Sequence, residues 1–598
     1  MIRATDMKKI FNYIATLCLI ISLLFLQACQ DDFLDKPVQG ALGDDVLANA
    51  KGLDALLTGT YGALDGQGDF TGGSGWESAP DNWIYGAVAA GDAHKGSDGG
   101  DQTPIAAIAT FTSGADNGFF NTKWKALYEG VTRANTVLKV LALVKDLPEA
   151  EKAPVEAQAR FLRGHYYFEL KKMWNMVPWI DETTTDFNQP NDVDIWPMIE
   201  ADLKFAYENL PATQSQVGRV NKWAAGAYLG KTYLYEKKFA LAIPVFTDVI
   251  ASGVTSNGLK YSLVEFKDNF DASTKNNAES VFAIQMVAND GTLDIYSANM
   301  GGMLNFPYGT GAPFSCCGFY QPSQALVNSF RTDANGLPLI DDSNSNPVKN
   351  DMGLTSSTPF TPDAGTLDPR LDWTVGRRDI PYHDWGLYPG MDWVRDQAYA
   401  GPYAPKKNIH RQKNQDIYAD LSSWAPGNAI NVLVIRFADV LLMAAEAEAN
   451  AGSLEKAEDY VNLVRARAAK PSGWLYQYLD ESNPMAGFSD KPAANYSIKT
   501  YPAGKFSGGG KDYALKAIYF ERGIELAMEG HRFFDLVRWG IADQKLNGFF
   551  SYESKITTDL NGAKFTNSKN VYYPIPQYQI DMSVVGGVAK LKQNPGYN

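Results

Sequence analysis

The chain has 598 residues and a net charge of 54 − 68 = −14, with no long basic run, which excludes a nucleic-acid-binding surface. Hydrophobic residues make up 45%, ample for a large core, while five His and four Cys in no CxxC or HExxH spacing argue against a structural metal or a cofactor. Aromatic residues reach 12%, and many stand in polar, Gly-rich stretches where a core does not need them.

At the N-terminus, Lys8 and Lys9 precede an apolar run over residues 10–26, and Gln27-Ala28-Cys29 follows. A charged start, a short apolar stretch and a small residue before the cut describe an export signal. Cysteine after the alanine makes it a lipoprotein signal. Residues 1–28 would be removed, and Cys29 would carry the lipid that holds the chain to the membrane. A transmembrane anchor is the weaker reading, because the run is short and contains Asn12, Thr16 and Ser22.

Residues 44–64 show helical spacing through Val46, Leu53, Leu56, Leu57 and Tyr61. Residues 65–103, rich in Gly and Asp, are expected to be a loop outside the core. Helices are predicted over 121–144 and 153–176, and His165 reads as a packed helix histidine. Residues 223–252 place Leu229, Gly230, Tyr233, Ala242 and Phe246 at tetratricopeptide spacing, with small residues where two helices touch. Residues 436–469 repeat the idea, with Ala445 and Ala457 facing across a turn at Gly452-Ser453. Between the repeats, residues 261–424 are loop-rich apart from a strand over 279–286. Long irregular stretches in a compact domain are usually functional.

The helix over 513–528, with Gly530 as its stop, is loaded with charge. Glu521, Arg522, Glu525 and Glu529, then Arg532, Asp535 and Arg538, alternate with Phe533, Phe534, Leu536, Val537 and Trp539. Charges so placed should be partly buried and therefore paired. Glu521 and Glu525 thus read as partners in Glu–Arg pairs rather than as catalytic carboxylates. The string Ser507-Gly508-Gly509-Gly510-Lys511 lacks a phosphate-loop pattern and reads as a flexible turn.

This segment, ERGIELAMEGHRFFDLVRWG, resembles the C-terminal signature of the SusD/RagB family of outer-membrane nutrient-binding lipoproteins. Further matches to that pattern are ARFLRGHYYFEL at 159–170, the tetratricopeptide-like hairpins, YYPIP at 572–576 and QNPGY at 593–597. The resemblance implies a mainly α fold, a tetratricopeptide-like helical-hairpin scaffold with long loop-rich insertions and a few short strands. The expected division is a signal peptide over 1–28, an N-terminal region over 29–260, and a C-terminal region over 261–598 holding the ligand-binding insertions. It also implies a surface-exposed lipoprotein of the outer membrane that binds glycans without cleaving them. Such a protein would pass its ligand to a SusC-like TonB-dependent transporter, on which it sits as a lid.

Three loop stretches are candidates for ligand contact. The first, 76–101, holds Trp76, Trp83 and Tyr85 amid Asp81, Asn82 and Asp92. The second, 305–321, holds Cys316, Cys317 and Tyr320. The third, 373–403, sets Trp385 and Trp393 beside Arg377, Asp384 and Asp392. Sugars need both parts of this mixture, because a ring's C–H face packs on an aromatic plane while its hydroxyls take hydrogen bonds. The competing reading is that these aromatics form mini-cores under the loops. After export, the adjacent cysteines are expected to close a vicinal disulfide, a rigid apolar disc suited to stacking under a sugar. A glycoside hydrolase would need two facing carboxylates, and Asp384 with Asp392 in a loop is weak support. Peptide or glycoprotein ligands on the same scaffold are a further alternative. A calcium site at Asp98 and Asp101 lacks the EF-hand spacing.

Overall fold

The computed structural model describes residues 43–67, 73–291 and 297–597, together with Lys9 and Tyr13. The export signal and Cys29 lie outside the described residues. Nine long helices among these residues carry the fold: α1 Ala50–Gly62, α2 Gly118–Leu141, α3 Glu149–Trp174, α4 Trp196–Asn209, α5 Lys222–Tyr235, α6 Phe239–Ser252, α7 Phe437–Ala451, α8 Leu454–Ala468 and α9 Lys505–Glu525. From α2 onward each helix packs on the next in chain order. The stack is uninterrupted where the chain is not, because α6 lies against α7 although residues 253–436 intervene.

Local chemistry explains these elements. Asn221 accepts from Ala224 N at 2.9 Å and starts α5, and Ser453 accepts from Lys456 N at 3.2 Å and starts α8. A Cβ on Gly230 would lie 2.5 Å from the Phe246 ring, so α5 and α6 touch as closely as the spacing of small residues predicts. Ala445 and Ala457 are likewise fully buried between α7 and α8. His165 packs inside α3, its Nδ1 3.0 Å from the Tyr228 hydroxyl. α4 was not anticipated. Trp196-Pro197 opens it, and its buried face of Ile199, Leu203 and Ala206 is too short to stand out by period.

The few strands are short and pair across long sequence distances. β1 Ala93–Gly96 is antiparallel to β3 Phe319–Pro322, with Gly96 opposite Phe319 and Ala93 opposite Pro322. β2 Ser280–Ile284 pairs with β4 Val432–Arg436, which leads directly into α7. The insertion is thereby closed at its base. Residues 76–93, expected to lie outside the core, are instead part of it. Ala79, Trp83–Ala90 and Ala93 join the main apolar cluster, and glycine makes this possible. A Cβ on Gly86 would lie 1.7 Å from Gly530 O, and one on Gly530 would lie 1.8 Å from Asp81 O. The two backbones touch.

α9 also departs from expectation. It begins at Lys505, is broken at Gly510 (φ +78°), and ends at Glu525. The supposed flexible turn at 507–511 therefore lies within the helical run. Gly530 belongs to the turn after it, where Met528 has φ +61° and Gly530 φ +74°.

The charges of this segment form a buried network. Glu525 meets Arg370 at 2.6 Å and Arg436 at 2.5 Å, and also pairs with Arg467. Glu521 meets Arg370 and Arg465, each at 2.7 Å. Glu279 and Glu529 complete the cluster around Arg436, and Lys407 joins Glu529 at 2.7 Å. Beside it, Asp535 binds Arg522 at 2.7 Å and Arg538 at 2.8 Å. This network ties α9 to β4, to α8 and to the insertion at Arg370. Arg532 is the exception: the charges of Asp92 and Asp535 act on it, but its guanidinium makes no hydrogen bond or ion pair among the described residues.

Candidate functional site

The three loop stretches meet in space. Trp83 packs on Tyr320 with ring centroids 5.4 Å apart, and its Nε1 donates to Gly301 O at 2.9 Å. With the β1–β3 ladder, this welds the first stretch to the second. Tyr308 N donates to Trp393 O at 3.0 Å, and Trp393 Nε1 to Thr310 O at 3.3 Å, which welds the second to the third. Arg395 closes the ring by pairing with Asp98 and Asp101, each at 2.7 Å. Those two carboxylates, weighed as calcium ligands, are thus taken up by a guanidinium.

The structure turns most of the nominated side chains inward. Trp83 and Tyr85 are each 1% exposed, and the Tyr85 hydroxyl donates to Glu77 O at 2.7 Å and Phe119 O at 3.0 Å. Asp81 accepts from Trp83 N at 3.2 Å, and burial pushes its carboxyl up to about 6. Asp92 accepts from Met528 N at 3.1 Å, and burial likewise raises it to about 6. Arg377 is locked by two bonds to Asp372, at 2.7 and 2.9 Å. Trp393 is buried with Tyr382, Tyr388 and Phe306 in a separate mini-core, at whose edge Trp385 lies half-buried, donating to His410 O at 3.0 Å. The mini-core reading therefore describes the third stretch.

Cys316 and Cys317 form a disulfide at the second stretch. Cys317 is buried and holds φ +90°, while Cys316 is half-buried and its N donates to Phe314 O at 2.8 Å. Tyr320, two residues beyond Gly318, also has φ +61° and is buried, with no partner for its hydroxyl among the described residues. Of the two cysteines, only the first reaches the surface.

A wide open concavity lies elsewhere. A cleft of about 910 Å³ runs between α1, the loop at 216–219 and the end of β2. Its polar lining includes Asp65, Gln67, Arg133, Gln216, Arg219 and Gln285. Arg219 lies over the Tyr61 ring at 5.0 Å and pairs with Asp54 at 3.0 Å, and Arg133 donates to Gly59 O at 2.8 Å. Asp65 accepts from Gln67 N at 2.7 Å, and burial raises its carboxyl to about 7.

One wall of this cleft is Gly73–Gly75 and Ser78, the residues that bracket Trp76. Trp76 is buried, and its Nε1 has no partner among the described residues. Its ring meets Trp424 edge-on, with centroids 5.9 Å apart. Trp424 is 56% exposed, at the tip of a hairpin tied to Asn299 by Asn299 N donating to Asn428 O at 2.8 Å. Ser297, two residues before Asn299, lines the same cleft. An exposed indole thus packs on Trp76, whose chain neighbours line a wide cleft of hydrogen-bonding groups. The sequence offered a weak signal for Trp424, a lone aromatic in the polar turn Ser422-Ser423-Trp424-Ala425-Pro426-Gly427.

Comparison with known proteins agrees with this architecture. The model of the SusD family matches residues 278–597. The chain belongs to the SusD family. A second family model, described as starch-binding associating with outer membrane, matches residues 103–234. A SusD-like protein P2 of Formosa agariphila is 25% identical over 550 residues, covering 88% of this chain and 90% of its own. Among solved SusD-like structures, a SusD superfamily protein of Bacteroides vulgatus has a TM-score of 0.63 at 22% identity, covering 91% of this chain and 98% of its own. Surface glycan-binding protein A of Bacteroides thetaiotaomicron, in complex with laminarihexaose, has a TM-score of 0.62 at 20% identity, with coverage of 91% and 99%. A laminarin-binding SusD-like protein has a TM-score of 0.57 at 24% identity, with coverage of 92% and 100%. The scaffold of helical hairpins with long insertions is therefore that of the SusD family.

Proposed function

We propose that this protein is a non-catalytic, surface-exposed glycan-binding lipoprotein of the outer membrane. In this reading Cys29 anchors it, and it hands oligosaccharides to a SusC-like TonB-dependent transporter. The observation that carries the reading is the pairing of exposed Trp424 with Trp76, whose chain neighbours Gly75 and Ser78 line the 910 Å³ cleft. Stacking on an indole and hydrogen bonds from Gln67, Arg133 and Arg219 supply the two things a sugar ring requires. The buried aromatics of the nominated loops then serve as the base that holds this edge in place.

Hydrolysis finds little support in the same cleft. Among its described lining residues Asp65 is the only carboxyl, where glycoside hydrolysis takes two facing ones. Asp384, offered as half of such a pair, caps a turn by accepting from Gln412 N at 2.8 Å and Lys413 N at 3.0 Å. Two structural relatives named for laminarin or laminarihexaose make β-glucan oligosaccharides the first ligands to try. The test is calorimetric titration of soluble protein starting after Cys29 with a glycan panel that includes laminarin oligosaccharides. Saturable binding without release of shorter sugars supports the reading, and turnover of any glycan overturns it.

A further inference from the structure

Arg532 breaks the rule that every charge in its segment is paired, and it lines a second cavity. That cavity, about 350 Å³, lies between the loop at Ala90–Asp92, the helix Gln324–Ser329, the loop at 340–344, α9 and the helix Ala542–Glu553. It shares no lining residue with the larger cleft. Lys545 lines it too, and its ammonium makes no hydrogen bond or ion pair among the described residues. Partial desolvation, then the charges of Arg532 and Lys516, lower the Lys545 ammonium from its usual range. Asp92 and Asp341, in the same lining, act on Arg532 and Lys545 through their charge, but neither carboxylate forms an ion pair with these two cations among the described residues.

The acids of the cavity are already committed. Asp341 pairs with Lys516, and Asp342 accepts from Asn344 N at 3.2 Å. Asp92 gives one oxygen to Met528 N. The space for Arg532 is built by glycine, since a Cβ on Gly523 would lie 2.7 Å from its Nη1. Gly548, also in the lining, faces open space. A partly buried guanidinium without a partner forfeits hydrogen bonds that an anion would restore, and its planar fork suits two oxygens at once.

We propose that this cavity binds a compact oxyanion, a carboxylate, sulfate or phosphate group, held by the Arg532 fork and the Lys545 ammonium. Asn344 lines the same space with its Oδ1 accepting from Asn328 Nδ2 at 2.9 Å, which leaves its own Nδ2 as a neutral donor. The site stands apart from the glycan cleft and does not depend on it.

The test is calorimetric titration of the soluble protein with sodium sulfate, sodium phosphate and sodium glucuronate, against sodium chloride at matched ionic strength. Saturable binding of at least one oxyanion at one site per chain is expected. Lys545→Ala, at the exposed mouth, should weaken it about tenfold or more, the size of one lost charge-assisted hydrogen bond. Gly548→Leu should occlude the cavity and abolish binding, and neither variant should change the affinity for a glycan in the larger cleft. Sulfate and phosphate binding would identify an inorganic ligand, and glucuronate alone would identify an acidic sugar. Heats equal to the chloride control for all three salts overturn the proposal, as does binding unchanged in both variants.

Discussion

Glu525→Gln is the sharpest probe of what holds this scaffold together. Glu525 accepts from Arg370, Arg436 and Arg467, and none of the four side chains reaches solvent. Around it, Arg370, Lys407, Arg436, Arg465 and Arg467 face Asp368, Glu279, Glu521, Glu525 and Glu529, so the cluster is neutral as a whole. The amide keeps the shape but removes one charge, which leaves an uncompensated buried cation. Breaking a buried pair in this way costs about 3–5 kcal/mol. The assay is urea unfolding followed by tryptophan fluorescence, with the midpoint compared at equal slope. Glu525→Gln with Arg467→Met should recover part of the loss, because the charge balance returns. Burial alone would raise the Glu525 carboxyl, but Arg467, Arg436 and Arg370 hold it well below the usual carboxylate range. Its stabilisation is therefore present at neutral pH and lost as the medium is acidified through its folded pKa, so the variant should show a shallower acid limb. A loss below about 1 kcal/mol, with the acid limb unchanged, would refute the reasoning.

Three further outcomes follow from the same geometry. Trp83→Ala should cost about 3–5 kcal/mol of stability, as large-to-small changes of buried aromatics do, while folded molecules keep their glycan affinity; a loss of affinity at unchanged melting temperature would return Trp83 to the ligand face. For His94, burial lowers the imidazole, but Asp559 at 2.9 Å and Glu553 at 3.3 Å overcome this and raise it to about 10 from 6.5. Its stabilisation is full below about 6.5 and falls away as pH rises towards 10, by up to about 1.4 kcal/mol per pH unit, so His94→Gln should flatten stability between pH 7 and 9 relative to the native chain. Replacing both Cys316 and Cys317 with Ser should hardly move the melting temperature, since so small a ring removes little chain entropy, and a large drop in urea or thermal midpoint would contradict that.

Helices with a strong apolar period were legible in the sequence, and so was the meaning of small residues such as Gly230 and Ala457, because close helix packing leaves few choices there. The pairing of Glu521 and Glu525 with arginines was also legible, since charge among large apolar residues must be compensated. Their partners were not, because Arg370 and Arg436 come from the insertion and from β4. Irregular segments carry no period, so nothing in the first stretch announced that Trp83 and Trp76 both join the core. The Gly86–Gly530 contact, which draws that stretch into the core, joins positions 444 residues apart (530 − 86). Arg532 read like its paired neighbours in sequence and was distinguished only by what surrounds it in space.

The central claim, that glycans bind where Trp424 meets Trp76, is tested most directly by titrating laminarin oligosaccharides into the soluble protein and into Trp424→Ala. Trp424 is 56% exposed and touches the core through the Trp76 ring, so its loss should lower the melting temperature only slightly. A stacked aromatic contributes about 0.5–1.5 kcal/mol beyond buried area, so affinity should fall roughly 2- to 13-fold for whichever glycan binds. Equal affinity in the two proteins, with binding instead abolished by Trp385→Ala at the edge of the mini-core, would contradict the account.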